Sequence, residues 1–187
     1  MVTLVFMLEE ESAKVLLENL LPRILPATIS HMCIPHEGKQ DLEKSIPIKL
    51  KHWNVPNTWF VIIRDKDQSD AEQLQNRLEK LCKNSGRSDS LVQLAIHELE
   101  SWFLGDLAAV GNAFNLPKLK NKQNSSKFRN PDLLANASQE LEKQVKSYQK
   151  VSGARKIAPF MDIENNTSTS FNNLITNLDS FVASKIQ

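Results

Sequence analysis

Two aspartates one residue apart, Asp65 and Asp67, are the residues of this chain whose type and spacing are best suited to chemistry. They follow an apolar, β-branched run at residues 59–63, which predicts a buried strand. Carboxylates this close repel each other unless a cation or a proton joins them. Open α/β sheets bind their ligands at the carboxyl ends of strands. The pattern therefore predicts a divalent-metal site, and the alternative is a solvated turn whose acids cap the next helix.

Further acids follow other predicted strands. Glu9 comes after the apolar run at residues 4–8, and Glu98 and Glu100 come after the run at residues 91–96. Hard cations such as Mg²⁺ or Mn²⁺ take oxygen ligands, and Mg²⁺ keeps several waters, so two or three carboxylates suffice and a phosphate ester could supply the rest. Glu98 and Glu100 point in different directions on a helix, so we expect one of them to face the site. Glu10, directly after Glu9, is better explained as part of a charged helix start.

The elements that position these acids alternate along the chain. Strands are predicted at residues 4–8, 27–34, 59–63 and 91–96, with helices at 12–24, 40–53 and 71–82 between them, and Ser12 is a candidate N-cap. Helices are also predicted at 97–114, 131–148 and 170–184. The alternation indicates right-handed crossovers and an α/β fold with a mainly parallel sheet flanked by helices. The acidic strand ends then share one edge, and the C-terminal helices pack on the core.

Composition limits the class of protein. The 187 residues suit one domain, with a core at 1–114, a polar and basic loop at 115–130 and a helical extension at 131–187. No apolar run approaches the ~18 residues of a membrane span, and the short N-terminal run lacks a basic leader, so we expect a cytoplasmic protein. The formal charge of +1 gives no global basic field. Nucleic-acid binding would therefore have to be local.

Several common sites are excluded by spacing. Gly38 and Lys39 do not form a phosphate-binding P-loop, because no glycine precedes them at the required distance and Gln40 replaces the hydroxyl residue. His31, Cys33 and His36 lack the spacing and the fourth ligand of a zinc site, so surface or packing roles are expected for them. The two cysteines are expected to be structural thiols.

The order of these motifs resembles the Toprim domain of topoisomerases, primases and overcoming-lysogeny-type nucleases. In that domain a strand ends in glutamate (here Leu4 to Glu9), a helix follows, and a later strand ends in Asp-x-Asp (here Val61 to Asp67). Residues 38–42, 98–106, 148–150 and 153–158 are further similar to a small bacterial Toprim-like family, domain of unknown function 4276. Members of that family are often encoded beside ATPases in phage-defence or mobile loci. Many Toprim motifs place glycine after the first glutamate, where this chain has Glu10.

The resemblance implies an activity and roles for residues. It implies phosphodiester hydrolysis with one or two Mg²⁺ or Mn²⁺ ions, in which Glu9 is a metal ligand or general acid/base and Asp65 and Asp67 bind metal. Glu100, with Glu98 in reserve, is similar to the further acid that holds a second metal. The implied substrate is nucleic acid, DNA more than RNA, and the implied protein partner is an ATPase.

A nucleic-acid substrate requires cations for its phosphates. The candidates are Lys39, Lys150, Arg155 and Lys156. Lys156 is also counted among the catalytic residues, because it precedes an apolar segment that could anchor it. The alternative for each is ordinary surface charge.

Two other functions remain open. The chain could be a non-catalytic Toprim-like module that binds nucleic acid or regulates an ATPase. Alternatively, residues 65–69 match the Asp-x-Asp-x-Ser/Thr nucleophile loop of a haloacid-dehalogenase-like phosphatase, with Asp65 as the nucleophile. That loop normally follows the first strand, whereas Asp65 follows a complete strand-helix-strand unit.

Overall fold

The computed structural model describes residues 2–186. Its strands and helices alternate through the first half of the chain: β1 (Val2–Leu8), α1 (Glu11–Ile24), β2 (Ile29–Pro35), α2 (Lys39–His52), β3 (Thr58–Asp65), α3 (Ala71–Asn84) and β4 (Leu91–Ala95). Five helices follow: α4 (Glu100–Leu104), α5 (Leu107–Ala113), α6 (Ala137–Gln144), α7 (Lys150–Ile157) and α8 (Thr169–Ile186). Short 3₁₀ turns lie at Leu119–Lys122, Pro131–Leu133 and Ala158–Phe160.

The four strands form one parallel sheet in the order β2-β1-β3-β4. The two central strands, β1 and β3, are covered on both faces, which is why they consist of nearly continuous apolar residues. The predicted α/β fold with a parallel sheet and flanking helices is confirmed, and the architecture is Rossmann-like.

Side-chain alternation along the strands divides the core into two layers. One layer contains Leu4, Phe6 and Leu8 of β1 together with α1 and the C-terminal helices. The other contains Val5 and Met7 of β1 together with α2 and α3. The sheet is therefore covered by α1 and the C-terminal helices on one face and by α2 and α3 on the other.

The C-terminal helices belong to the same core as α1. Helix α7 packs against α1. Helix α8 buries an apolar stripe of Phe171, Leu174, Leu178 and Val182. The expectation that these helices pack on the core is thus confirmed.

Three predictions about helices are wrong. The helix expected at residues 97–114 is divided into α4 and α5, because Asp106 accepts a hydrogen bond from the Ala109 amide and begins a second helix. The helix expected at 131–148 is a 3₁₀ turn followed by the shorter α6, and α7 was not predicted. The N-cap position of α1 is Glu10 rather than Ser12, which is buried.

No helix within residues 2–186 has both the length and the apolar character needed to cross a membrane.

Candidate active site

The site lies where the direction of strand order reverses. Helix α1 connects β1 to β2 on one side of β1. Helix α2 then connects β2 to β3, which lies on the other side of β1. This reversal opens a crevice at the carboxyl ends of β1 and β3, the place where doubly wound sheets bind ligands. Leu8 pairs in register with Ile63, so β1 and β3 end together at the crevice, and the Asp65 amide reaches the Glu9 carboxylate there.

The Glu9 side chain is tied to the end of β3. Its Oε2 accepts a hydrogen bond of 3.1 Å from the Asp65 amide, and it lies 3.9 Å from Nε of the buried Arg64. The same guanidinium nitrogen lies 3.3 Å from Glu43 Oε1 on α2. Burial raises the pKa of Glu9, and the Asp65 amide and Arg64 only partly oppose this effect. The hydrogen bond and the ion pair therefore fix Glu9 in position without fully compensating its charge.

Asp65 has the most strongly perturbed environment in the crevice. Within residues 2–186, no hydrogen bond reaches its side-chain oxygens. Its amide donates to Glu9 Oε2, and its carbonyl accepts from the Arg64 guanidinium. Burial raises the pKa of Asp65 well above its usual range, and the charges of Glu9 and then Glu100 raise it further. The folded chain thus places a poorly solvated carboxylate beside two others, and a cation would relieve this repulsion.

Glu100 is the third carboxylate. It is the first residue of α4 and is fully buried. Its Oε1 accepts a 3.0 Å hydrogen bond from the Tyr148 hydroxyl, whereas its buried Oε2 has no partner within residues 2–186. Burial raises the pKa of Glu100, an effect that Lys150 opposes. An unpartnered buried carboxylate oxygen is costly, so this atom needs an explanation such as a bound ion.

Lys150 contributes positive charge beside Glu100 and Asp65. It is the first residue of α7, and its Nζ lies 3.1 and 3.2 Å from the two carboxylate oxygens of Glu10. Burial works to lower the pKa of Lys150, but the neighbouring carboxylates, first Glu100 and then Glu10, outweigh it and raise that pKa. Lys150 therefore remains charged and compensates part of the negative charge of the site.

Asp67 lies at the rim rather than in the cluster. Its Oδ2 accepts a 3.0 Å hydrogen bond from Nζ of Lys39, the first residue of α2. Its backbone is held to His97, whose carbonyl accepts from the Asp67 amide at 2.8 Å. Both residues have positive φ, 51° for Asp67 and 61° for His97, which is uncommon away from glycine and costs energy. The structure thus separates the predicted pair into an inner Asp65 and an outer Asp67.

Glu98 faces away from the cluster. Its Oε2 accepts a 2.8 Å hydrogen bond from the Ser138 amide in the first turn of α6, so it caps that helix. Of the two glutamates after β4, Glu100 is therefore the one that faces the site, as the sequence led us to expect for one of them.

The two cations at the far end of α7 are not brought to the carboxylates. Lys156 is exposed, and its Nζ lies 5.3 Å from the centroid of the Phe114 ring. Arg155, beside it, is also exposed. Lys156 follows Lys150 by six residues, a rise of about 9 Å along the helix. Of the predicted cations, only Lys39 and Lys150 contact acids of the site.

Three contributors to the site were not assigned by the sequence. Arg64 is a charged residue inside an apolar strand, and that position is a signal of a buried ion pair. Glu10 was assigned to the helix start, and Tyr148 was noticed only within a motif. Glu10 contacts Lys150, 140 positions away in the chain, and Tyr148 contacts Glu100, 48 positions away. No local pattern predicts either contact.

One protein family matches most of this chain, including the residues of the site. A family model described as "Domain of unknown function (DUF4276)" matches residues 8–179. The chain belongs to this family. Glu9, Asp65, Glu100, Tyr148 and Lys150 all lie within the part that matches the DUF4276 model. No curated protein and no solved structure matches the chain.

The donor set of this DUF4276 chain suits a hard cation, although the side chains are not gathered around one. Within residues 2–186, no group of three or more His, Cys, Asp or Glu side chains is arranged to hold a metal ion. The cluster offers carboxylate oxygens alone, and Mg²⁺ needs only one or two of them because waters and phosphate oxygens complete its coordination. The free oxygen of Glu100 and the uncompensated Asp65 fit such an ion.

Proposed function

We propose that this protein hydrolyses a phosphodiester bond of nucleic acid, with DNA as the favoured substrate, and that it depends on Mg²⁺ or Mn²⁺. The observation that carries the proposal is the convergence of Glu9, Asp65 and Glu100 at the strand-order reversal, where burial raises the pKa of each. Functional sites are where such perturbed carboxylates collect. The resemblance to Toprim nucleases supports the same chemistry.

The residues that would hold the cation are Asp65 and Glu9, with Glu100 close enough for its charge to raise the pKa of Asp65. A bound Mg²⁺ would neutralise charge on the phosphate and on the leaving oxygen. Tyr148 holds Glu100 through Oε1 and so leaves Oε2 free. Asp67, with Lys39, borders the crevice and would contact substrate at its edge.

Proton transfer falls to Glu9 in this proposal. Its Oε2 is held by the Asp65 amide, so Oε1 is the atom that would take a proton from an attacking water. Lys150 would place a positive charge near the scissile phosphate, since it already lies among the acids. The water oxygen bonds to phosphorus, the ester bond breaks, and the leaving oxygen is protonated from solvent.

A cleavage assay tests the proposal. Linear and supercoiled DNA are incubated with the purified chain in Mg²⁺, Mn²⁺ or EDTA, alone and together with ATP and any ATPase encoded beside its gene, because the resemblance includes that partner. We expect cleavage that needs the divalent cation and that Glu9→Gln and Asp65→Asn each abolish. Cleavage in EDTA, undiminished cleavage by the double variant, or no cleavage under either condition would contradict the proposal.

A non-catalytic module is the second candidate. The observation that favours it is the ion pair between Lys150 and Glu10. Lys150 also lies close enough to Glu100 to compensate part of the negative charge of the site without a metal ion. This candidate predicts nucleic-acid or ATPase binding that survives both substitutions. The phosphatase alternative has weaker support, because Asp65 ends the third strand, whereas the nucleophile loop of that family normally follows the first strand.

A further inference from the structure

The segment at residues 115–130, here called the basic segment, differs in charge from the rest of the chain. It contains Lys118, Lys120, Lys122, Lys127 and Arg129, which are five of the 23 Lys and Arg residues, and none of the 22 Asp and Glu residues. All five cations are exposed. Ordinary solvated surfaces mix both signs of charge, so a segment with cations alone produces a local positive field on a chain whose formal charge is only +1.

The basic segment is held in a defined shape although it has little regular structure. The Gln123 side chain accepts a hydrogen bond from the Leu107 amide and donates to the carbonyls of Leu104 and Phe128, at 2.7 to 3.0 Å. Leu119 and Phe128 are buried in the core. These anchors keep the backbone in place while the cations extend outward, which lowers the entropy cost of binding a ligand.

Few of the cations have partners. Lys127 forms an ion pair with Glu140, and Lys122 donates to Gln144 at 2.7 Å. Within residues 2–186, Lys118, Lys120 and Arg129 form no ion pair with an acid. Their charges are therefore available to an external anion.

Helix α7 connects the basic segment to the candidate active site. Its first residue, Lys150, pairs with Glu10 beside the carboxylates. Its last turn carries Lys156, whose ammonium lies over the ring of Phe114, the residue that precedes the basic segment. Positive charge thus continues from the crevice along α7 to the basic segment.

We propose that the basic segment binds the phosphate backbone of duplex nucleic acid. Exposed lysines and arginine supply the phosphate contacts that dominate such binding. Single-strand binders add exposed aromatic rings that stack on bases, but Phe128, the aromatic residue of this segment, is buried. The inference deepens the proposed function by naming its docking surface, and it rests on that function only for the chemistry that follows binding.

Fluorescence anisotropy with a labelled 25-base-pair DNA duplex in EDTA tests the inference, because binding is then measured without cleavage. The test variant is Lys118→Ala/Lys120→Ala/Lys122→Ala. The control variant is Lys44→Ala/Lys80→Ala/Lys83→Ala, which removes the same charge from exposed positions on α2 and α3. Both variants are first checked for cooperative melting.

We expect the wild type to bind with a steep salt dependence. Each phosphate contact contributes about 0.9 to the slope of log K against log salt, so the test variant should lose about 2 to 3 of that slope and at least about tenfold in affinity at low salt. The control variant should lose less than about threefold. Equal losses in both variants, an unchanged test variant, or wild-type binding to anionic phospholipid vesicles but not to DNA would overturn the inference.

Two further variants separate shape from charge and binding from chemistry. Gln123→Ala keeps every cation but removes the bonds that hold the segment, so affinity should fall severalfold while the salt slope stays within about one. Unchanged affinity would refute the role of a preformed surface. Asp65→Asn should bind DNA at least as tightly as the wild type. Segment-dependent binding without cleavage would reject the proposed function and leave this inference standing.

Discussion

Replacing Asp65 with Asn should stabilise the protein while removing its response to metal. The Asp65 carboxylate is partly buried near Glu9 and Glu100, and no hydrogen bond reaches its oxygens within residues 2–186. The substitution therefore removes repulsion without breaking a bond. Relief of an unfavourable charge of this kind commonly adds about 1–2 kcal/mol to the free energy of unfolding. For a chain of this length, that corresponds to a rise of about 2–8 °C in Tm.

The effect of Asp65→Asn should depend on pH in a defined direction. The pKa of Asp65 is raised in the folded state, so the wild type has its full relative stability below the unfolded pKa and loses it as the pH rises through the folded pKa. The variant lacks this group. The difference in Tm between variant and wild type should therefore grow as the pH rises above the ordinary pKa of an aspartate and disappear in acid.

Calorimetry in EDTA and in excess Mg²⁺ measures both effects. At a concentration of 100 Kd, Mg²⁺ should stabilise the wild type by about 2.7 kcal/mol and leave Asp65→Asn unchanged. Asp67→Asn is the matched control, because Asp67 forms an exposed ion pair with Lys39 that is worth about 0–1 kcal/mol, so its loss should not raise Tm. An Asp65→Asn protein that is less stable than the wild type in EDTA at neutral pH would refute the reasoning.

Three more outcomes are expected from single substitutions. Tyr148→Phe should weaken divalent-cation affinity measured by titration calorimetry, because it removes the hydroxyl that holds Glu100. Gly153→Ala should do the same, because a Cβ there would clash with the tyrosine ring and displace its hydroxyl from Glu100. Unchanged affinity in both variants would contradict this. Asp132→Ala should cost about 1–3 kcal/mol in urea unfolding, since its carboxylate accepts from the amide and hydroxyls at the start of α8, and a loss under 0.5 kcal/mol would contradict that role. Phe171→Ala should cost about 3–5 kcal/mol in the same assay, because the ring is fully buried against Trp102, and a near-neutral result would show that α8 is not part of the core.

The sheet could be predicted from sequence because its signals are local. Each strand is a short apolar run between turn residues, and the alternation with amphipathic helices fixes a parallel arrangement. The acids that follow β1 and β3 could be placed at one edge for the same reason. Which strands are neighbours was not predicted, and that order is what sets Glu9 beside Asp65.

The helices after β4 were harder to predict because distant contacts determine their ends. Gly105 lies between α4 and α5, and a Cβ there would clash with the Asn166 side chain, so the close approach of the C-terminal segment requires glycine at this position. Helix α7 contains Gly153, which lowers helix propensity, yet this glycine makes room for the Tyr148 ring. Asn166 lies far from Gly105 in the sequence, and although Tyr148 lies close to Gly153, no local pattern predicts that its ring packs on the helix.

The roles of single residues in the site also divide into those that local sequence signals predict and those that tertiary contacts determine. That one of Glu98 and Glu100 would face the crevice could be inferred from helical geometry, but which one depends on the cap that Glu98 provides to α6. The pairing of Glu10 with Lys150 joins residues that are 140 positions apart, so no local sequence pattern predicts it. The candidate acids of the site can thus be predicted from sequence, and the tertiary packing determines which of them are buried.

The most direct test of the central claim is the position of a bound ion. Crystals of the protein grown or soaked with Mn²⁺, with anomalous diffraction data, would show where the cation lies. The account predicts one peak at the carboxyl ends of β1 and β3, about 2.0–2.3 Å from oxygens of Asp65 and Glu9, which Asp65→Asn removes. A peak elsewhere on the chain, or no peak in the crevice at saturating Mn²⁺, would contradict it.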